Sequence, residues 1–204
     1  PPAQGPAPKT TATLGELERR IEALNAQDAV RNLQNAYGYY IDRKMWDDVT
    51  DLFTEDGVLE IGGVGVYDGP GDIRRALERD GPAGLKRGQF NDHQQLSETV
   101  AISADGREAH IRGIDLGTLA DVDSGKAFWS VSVFSNRLVK GEDGKWRIRE
   151  MRIFPVFKTD YYQGWGKSRI VDPPPPPQFA PSHGLPAADA GENTIPAFFN
   201  NPAT

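Results

Sequence analysis

The sequence predicts an α+β fold in which helices cover one face of an antiparallel sheet. Helical periodicity occupies the N-terminal part of the chain as far as Gly81, and four β-like runs follow from Asn91 onward. This order differs from a doubly wound α/β fold, in which strands and helices alternate. The length of 204 residues is that of a single domain.

Three to four helical segments are predicted before the sheet. Thr13 and Glu16 form a T-x-x-E capping box, and the helix behind it has an apolar stripe at spacings of three and four: Leu14, Leu17, Ile21 and Leu24. Asn25 is placed to cap a second helix with the stripe Val30, Leu33, Tyr37, Tyr40 and Ile41. A short helix is predicted around Trp46, Val49, Leu52 and Phe53. Pro70 stands at a first-turn position of the last helix.

Five strands are predicted after the helical pattern breaks at Gly57. The first covers residues 58–61, and the longer four cover about 91–102, 107–120, 126–139 and 145–157. The turns at 104–106, 123–125 and 142–144 each end in glycine, which accepts positive φ. Both faces of the 126–139 run are partly apolar, as expected if one face packs on helices and the other lines a cavity.

Proline marks the boundaries of the predicted domain. Four of the 16 prolines lie within residues 1–8 and nine within residues 173–202. Residues 1–12 have almost nothing to bury and are predicted to be a disordered leader. The folded domain is expected to span residues 13–157. Residues 158–204 are predicted to be a proline-rich extension packed on the domain or on a neighbouring subunit, because the five prolines at 173–177 cannot continue a strand or a helix.

Composition excludes several classes of function. The formal net charge of −6 argues against non-specific nucleic-acid binding, which draws on basic surface. No apolar run approaches the roughly 20 residues that cross a bilayer, so no membrane partner is expected. The absence of cysteine excludes disulfides, thiolate catalysis and cysteine-ligated metals. The compartment stays open between the bacterial cytoplasm and the periplasm, because a chain without cysteine suits either redox environment.

No cofactor or metal is expected from the motifs. No glycine pattern of the G-x-G-x-x-G or P-loop type follows a predicted strand, so nucleotide binding has no support. The chain has three histidines, and neither an H-E-x-x-H motif nor a carboxylate–histidine pair at ligand spacing occurs.

Several stretches resemble one known family. Residues 33–60 read LQNAYGYYIDRKMWDDVTDLFTEDGVLE and resemble the opening of SnoaL-like proteins of the nuclear transport factor two superfamily. The continuation also matches, in Tyr67-Asp68-Gly69 before a helix, in His93, and in the closing sequence DGKWRI at 143–148. The resemblance covers about residues 14–157. It implies a cone-shaped α+β barrel, in which a strongly bent antiparallel sheet wraps around the helices and encloses an apolar pocket.

The resemblance also implies a chemistry. Among the enzymes of this superfamily the chain is similar to scytalone dehydratase and bile-acid 7-alpha-dehydratase, which are cofactor-independent lyases with Asp, Tyr and His in the pocket. It also resembles the diarylpropane lyases and phenylcoumaran formaldehyde lyases of aromatic-degrading sphingomonads, which share a proline-rich C-terminal tail. A homodimer or homotrimer is expected, because curved sheets of this family pack their convex face on another subunit.

Asp42 and His93 are the first catalytic candidates. The resemblance implies that Asp42, a few residues before Trp46-Asp47, projects into the pocket, and that His93 is the pocket histidine. Burial of a carboxylate raises its pKa towards useful acid/base values. A histidine hydrogen-bonded to an aspartate is a base poised near neutral pH. A solvated aspartate and a surface histidine are the alternatives.

Tyr37 and Asp115 complete the catalytic candidates. Tyr37 precedes Asp42 by five residues, a spacing that matches the catalytic Tyr–Asp of the bile-acid dehydratase group, and a buried phenol can donate to an oxyanion. Asp115 shares an otherwise apolar strand face and needs a partner there, which His93 or Arg152 could supply. Ordinary core packing is the alternative for Tyr37, and a surface position is the alternative for Arg152.

The remaining candidates would bind a flat aromatic guest. These predicted substrate-binding residues are Tyr40, Trp46, Trp129 and Arg152. The leading hypothesis is a cofactor-independent lyase acting on a hydroxylated phenolic small molecule. The pair Asp42–His93 would exchange protons, Tyr37 would bond a substrate oxygen and Asp115 would orient the histidine. A specific version releases formaldehyde from a diarylpropane to give a stilbene. The alternatives are a dehydratase or isomerase of a steroid- or polyketide-like substrate, and a non-catalytic ligand-binding domain.

Overall fold

A computed structural model describes residues 13–185. The predicted leader at 1–12 and residues 186–204 of the predicted extension lie outside the described residues. The described part contains three α-helices, α1 (Leu14–Arg43), α2 (Trp46–Asp51) and α3 (Gly69–Glu78), and a short 3-10 helix (Pro177–Phe179). Its six strands are β1 (Phe53–Ile61), β2 (Gly65–Asp68), β3 (Gln89–Ile102), β4 (Glu108–Asp121), β5 (Lys126–Lys140) and β6 (Trp146–Asp160).

The two helices predicted on either side of Asn25 are one continuous helix. Thr13 caps α1 with the predicted capping box, and the helix then runs for 30 residues to Arg43. No glycine or proline stands near Asn25 to interrupt it, and a buried stripe continues through its second half at Ala26, Val30, Gln34 and Tyr37. The apolar stripe of the first half is exposed and does not join the core: Leu14, Leu17, Ile21 and Leu24.

The six strands form one bent sheet in the order β2-β1-β6-β5-β4-β3. The four long strands were predicted to within a few residues, and they pair as an antiparallel meander. Strand β1 pairs with β6 in parallel, so the sheet is mixed, not purely antiparallel. The α+β class is confirmed, but the sheet is not closed into a barrel, because β2 and β3 are its free edges.

Strand β2 was not predicted. It is four residues long and follows the tight turn at Gly62-Gly63, so it carries too few residues for a period-two pattern. Its second partner comes from the distant C-terminal segment, through the bridge between Val66 and His183. Tyr67 donates its hydroxyl to the Phe179 carbonyl at 2.9 Å, which ties the same segment to the domain.

The core lies between α1 and the concave face of the sheet, with α2 and α3 closing one end. Alternation along β4 decides which residues enter it: Ala109 and Ile111 are completely buried, whereas Ile114 is 38% exposed. The other completely buried apolar side chains are Val30, Val49, Tyr67, Ile73, Leu138, Ile148 and Met151. No helix of the described residues is long and apolar enough to cross a membrane.

Two isoleucines on β4 test this assignment of faces. Ile111→Ala is expected to lower the free energy of unfolding by about 2–5 kcal/mol, because it opens a cavity in a packed core. Ile114→Ala, on the opposite face of the same strand, is expected to cost about 1 kcal/mol or less. Urea denaturation measures both, and equal losses would contradict the placement of the core.

Candidate active site

Asp42 and His93 are in direct contact. The His93 backbone N–H donates to Asp42 Oδ1 at 2.7 Å, and His93 Nδ1 lies 3.2 Å from the same oxygen. Both side chains are largely buried, with 20% of His93 and 17% of Asp42 exposed. An ionised carboxylate can only accept, so Nδ1 carries the proton in this contact and Nε2 is left to exchange a proton with a bound molecule.

The end of α1 explains why Asp42 needs this contact. A carboxylate in the last turn of a helix faces the negative end of the helix dipole, which disfavours it. The two donors of His93 on β3 compensate, and they can reach Asp42 because Gly38 brings helix and strand together. A Cβ at Gly38 would lie 3.0 Å from Gln95 Cγ and 3.3 Å from the His93 carbonyl oxygen.

Three carboxylates raise the pKa of His93. Burial alone, the largest single cause, lowers the pKa of this imidazole because it disfavours the charged form. The hydrogen bond with Asp42 and the charges of Asp115, Asp42 and Asp80 act in the other direction and outweigh burial. His93 therefore holds a proton more firmly than a free histidine does, which suits a general acid.

Asp115 is held by a glutamine. Gln95 Nε2 donates to Asp115 Oδ2 at 2.7 Å and to the His93 carbonyl at 3.0 Å. Burial raises the pKa of Asp115 and the charge of Asp42 adds to this effect, while His93 and Gln95 oppose it. Neither predicted partner, His93 or Arg152, bonds this carboxylate among the described residues. Asp42 is the carboxylate that bonds the imidazole directly.

A chain of buried amides fixes the orientation of Gln95. Gln34 Nε2 donates to Gln95 Oε1 at 2.8 Å, and Asn136 Nδ2 donates to Gln34 Oε1 at 2.8 Å. The Asn136 carbonyl oxygen accepts the Arg152 backbone N–H at 3.2 Å. Because each amide is fixed at its oxygen, the Gln95 NH₂ group points at Asp115. Gln34 and Asn136 are each only 1% exposed, so water does not compete for these bonds.

Tyr37 lies near these groups and keeps its proton. The side chain is buried, with 7% exposed. Burial, followed by the charges of Asp115 and Asp80, raises the pKa of the phenol far above its usual range. No other side chain or backbone group among residues 13–185 hydrogen-bonds its hydroxyl, which leaves the phenol free to donate to a ligand.

A cavity of about 340 Å³ opens beside the imidazole. Its wall carries His93 from β3 and, from β5, Ser130 and Ser132. Ser132 pairs across the sheet with Asp115, so this carboxylate lies next to the wall. The rest of the lining is mixed: Ile41, Lys44, Trp46, Ile61, Ala76, Arg79, Asp80, Asn91, Leu119, Pro155, Phe157, Lys158 and Asp172.

Gly117 makes room for the ring of His93. A Cβ at this position would lie 3.3 Å from His93 Cδ2 and would collide with Ser130 Oγ. The close approach of these two lining residues therefore requires glycine on the strand between them.

Two of the predicted substrate-binding residues lie on the helical side of the site. Trp46 lines the cavity and is buried, and its indole N–H donates to the Gly81 carbonyl at 3.0 Å. Tyr40 packs against the core and edge-on against Tyr39, and it does not line this cavity.

The structure corrects the assignment of Trp129 and Arg152 to the substrate site. Trp129 precedes Ser130, which lines the cavity, so it points to the opposite face of the sheet, where it stacks on Tyr161. Arg152 pairs across the sheet with Ser135. Ser135 is three residues from Ser132 on β5, so Ser135 and Arg152 lie on the same face as Trp129. The Arg152 guanidinium binds Glu60 through two hydrogen bonds of 2.9 and 3.1 Å.

Sequence reasoning missed the glutamines of the site. Gln34 occupies a core position of the apolar stripe of α1, between Val30 and Tyr37, and a polar side chain at such a position needs a buried partner. That signal identifies Gln34 but not its partners, which come from β3 and β5. Among residues 13–185 no group of three or more His, Asp or Glu side chains is arranged to hold a metal ion.

The Asp42–His93 contact predicts how the histidine titrates. In Asp42→Asn the pKa of His93 is expected to fall, because the charge and the charge-assisted hydrogen bond are lost while burial remains. NMR titration of the imidazole measures this, with the exposed Asp51→Asn as the control that leaves the pKa unchanged.

The raised pKa of His93 also predicts how the free energy of unfolding depends on pH. The folded-state pKa of His93 is the raised one, so the stability it contributes is complete below about pH 6.5 and is lost as pH rises through the folded-state value. An unchanged or higher His93 pKa in Asp42→Asn would contradict the coupling.

Solved structures with the same architecture are numerous, at low sequence identity. A putative scytalone dehydratase from Novosphingobium aromaticivorans DSM 12444 superposes with a TM-score of 0.62 at 18% identity, over 78% of this chain and 97% of that chain. An NTF2-like protein with a cystatin-like fold from the same organism superposes with a TM-score of 0.58 at 20% identity, over 72% of this chain and 92% of that chain. The LinA-type3 hexachlorocyclohexane dehydrochlorinase from Novosphingobium barchaimii LL02 superposes with a TM-score of 0.58 at 15% identity, over 76% of this chain and 99% of that chain.

At these identities the likeness establishes the fold alone. No curated protein sequence matches the chain significantly. The model of the SnoaL-like domain matches residues 22–152, which is more than half of the chain and includes every residue of the site from Gln34 to Asn136. The chain belongs to the SnoaL-like family.

Proposed function

We propose that the protein is a cofactor-independent lyase that eliminates water from a hydroxylated phenolic small molecule. The observation that carries the proposal is the buried contact between Asp42 and His93 beside a cavity. Structural neighbours named as a putative dehydratase and as a dehydrochlorinase support an elimination on this fold. The proposal extends to lignin-derived aromatics with a second hydroxyl group.

Water leaves in the first step. For a para-hydroxylated benzylic alcohol, the protonated imidazole of His93 donates from Nε2 to the benzylic hydroxyl as the C–O bond breaks. The phenolic proton passes to the carboxylate of Asp115, and the phenolic electron pair moves through the ring to give a quinone methide. The raised pKa values of both groups suit these transfers at neutral pH, and the Tyr37 phenol donates to a substrate oxygen.

Formaldehyde leaves in a second step when the adjacent carbon carries a hydroxymethyl group, as in a diarylpropane diol. Neutral His93 takes the hydroxymethyl proton, the C–C bond breaks, and the electron pair restores the aromatic ring. Asp115 returns its proton to the phenolate oxygen. The sum is one diol converted into one stilbene, one water and one formaldehyde, with no oxidant or reductant, and both catalytic groups return to their first state.

An isomerase is the second candidate, and one observation favours it. Asp115 is an acid whose pKa is raised by burial, and a protonated Asp115 beside the Tyr37 phenol would form a two-donor oxyanion hole. The two reactions differ in mass balance, because elimination releases water and isomerisation releases nothing. A purely ligand-binding domain has less support, because it gives no reason for a buried acid–imidazole pair.

The elimination is tested with a phenolic 1,2-diarylpropane-1,3-diol and with its O-methylated analogue, which cannot form a quinone methide. The phenolic substrate is expected to give ultraviolet absorption of a stilbene and an equivalent of formaldehyde, and the analogue neither. Asp42→Asn and His93→Ala should each lower kcat by about 10²–10⁴-fold, as loss of acid–base catalysis does. Asp51→Asn is the matched control and should keep full activity. Full activity in both site variants would overturn the mechanism.

A further inference from the structure

We infer that the substrate carries a carboxylate that Arg79 binds at the outer end of the cavity. The inference deepens the proposed function by naming the charge of its substrate, and it rests on that function only for the reaction, not for the binding. Three observations carry the inference: a second cavity adjoins the one at His93, the cations around the two cavities differ in their partners, and the two cavities differ in the charged groups around them.

The second cavity adjoins the first. It measures about 240 Å³ and shares six lining residues with the cavity at His93, which are Ile61, Arg79, Pro155, Phe157, Lys158 and Asp172. Its remaining wall comes from the turn after β1, from Val156 and from residues 169–171. The Ile170 N–H donates to the Lys158 carbonyl at 2.7 Å, which ties this segment to β6. Arg79 stands where the two spaces meet.

The cations around these cavities differ in what they bind. Lys158 is neutralised by Asp172 at 2.9 Å, and Lys44 donates to the Asp80 backbone carbonyl at 2.7 Å. The Arg79 guanidinium has no ion pair or hydrogen bond within the described part of the chain, and neither has the exposed Arg169 of the second cavity. The half-buried Arg79 guanidinium is therefore available to an anionic ligand, which would accept charge-assisted hydrogen bonds from it.

The two ends of the combined cavity differ in the charged groups around them. Asp42 and Asp115 gather around His93 at the inner end, where a second anion would be repelled. The outer cavity carries Arg79, Lys158 and Arg169 against the single carboxylate of Asp172. The exposed Asp80, which follows Arg79, and Lys44 are the other charged side chains that line the cavity at His93. A molecule with a carboxylate at one end and a hydroxyl at the other is therefore bound in one orientation, with the hydroxyl towards His93.

The shape of the guanidinium favours a carboxylate. Its planar fork donates two parallel hydrogen bonds to the two oxygens of a carboxylate, whereas an ammonium acts as a point charge. The cavity at His93, at about 340 Å³, is within the usual range for a small ligand and admits a substituted aromatic ring. The substrate class that fits both ends is a hydroxylated aromatic acid.

Two probes of equal shape test the inference by calorimetry. The wild-type protein is expected to bind 4-hydroxybenzoate at least about tenfold more tightly than neutral 4-hydroxybenzamide, the gain of one charge-assisted pair. Arg79→Gln should bring this ratio close to one without changing the benzamide affinity, and Arg79→Lys should restore part of it. Arg87→Gln removes the same charge from an exposed site that lines neither cavity, and should keep the full ratio.

Three outcomes overturn the inference: equal binding of the two probes by the wild type, an unchanged ratio in Arg79→Gln, or an equal loss for both probes, as a structural role at the end of α3 would give. His93→Ala separates this inference from the proposed function, because it should abolish elimination and keep the ratio. If the wild type does not catalyse elimination but its ratio of affinities for the two probes depends on Arg79, the lyase proposal is wrong and the carboxylate site is retained.

Discussion

A carboxylate at the wrong end of a helix is the constraint on which this site depends. Asp42 lies in the last turn of α1, where the helix dipole opposes a negative charge, and it is mostly buried. The backbone and the ring of His93 satisfy it through a single oxygen. The interaction that stabilises the Asp42 carboxylate in the fold is thus the one that fixes the tautomer of His93 and raises the pKa of its imidazole.

The rest of the site is arranged around this contact. Gly38 lets β3 approach α1, Gly117 leaves room for the imidazole, and the amides from Asn136 to Gln95 hold Asp115 at a distance where its charge is felt without a direct bond to His93. Arg79 and Lys158 line both cavities, and Arg169 adds a further cation in the outer one. The carboxylate site that we infer at Arg79 and the Asp42–His93 pair thus lie at different ends of two adjoining cavities.

Local signals in the sequence were enough for most of the fold. The four long strands were predicted because three glycine turns separate them, and α3 because Pro70 marks its first turn. The break at Asn25 was wrong, since a capping residue without a helix breaker does not end a helix whose buried stripe continues. Strand β2 was missed because four residues are too few to show a period-two pattern. Asp42 and His93 could be named from the family resemblance, but the glutamines could not be placed, because their partners lie on four separate elements, α1, β3, β4 and β5.

A double-mutant cycle tests most directly whether Asp42 and His93 act as one unit. Turnover of the phenolic diol is measured in the wild type, in Asp42→Asn, in His93→Ala and in the variant with both substitutions. The account predicts that the double variant loses no more activity than His93→Ala alone, because Asp42 acts through the imidazole. Losses that multiply would show two independent groups and would contradict it.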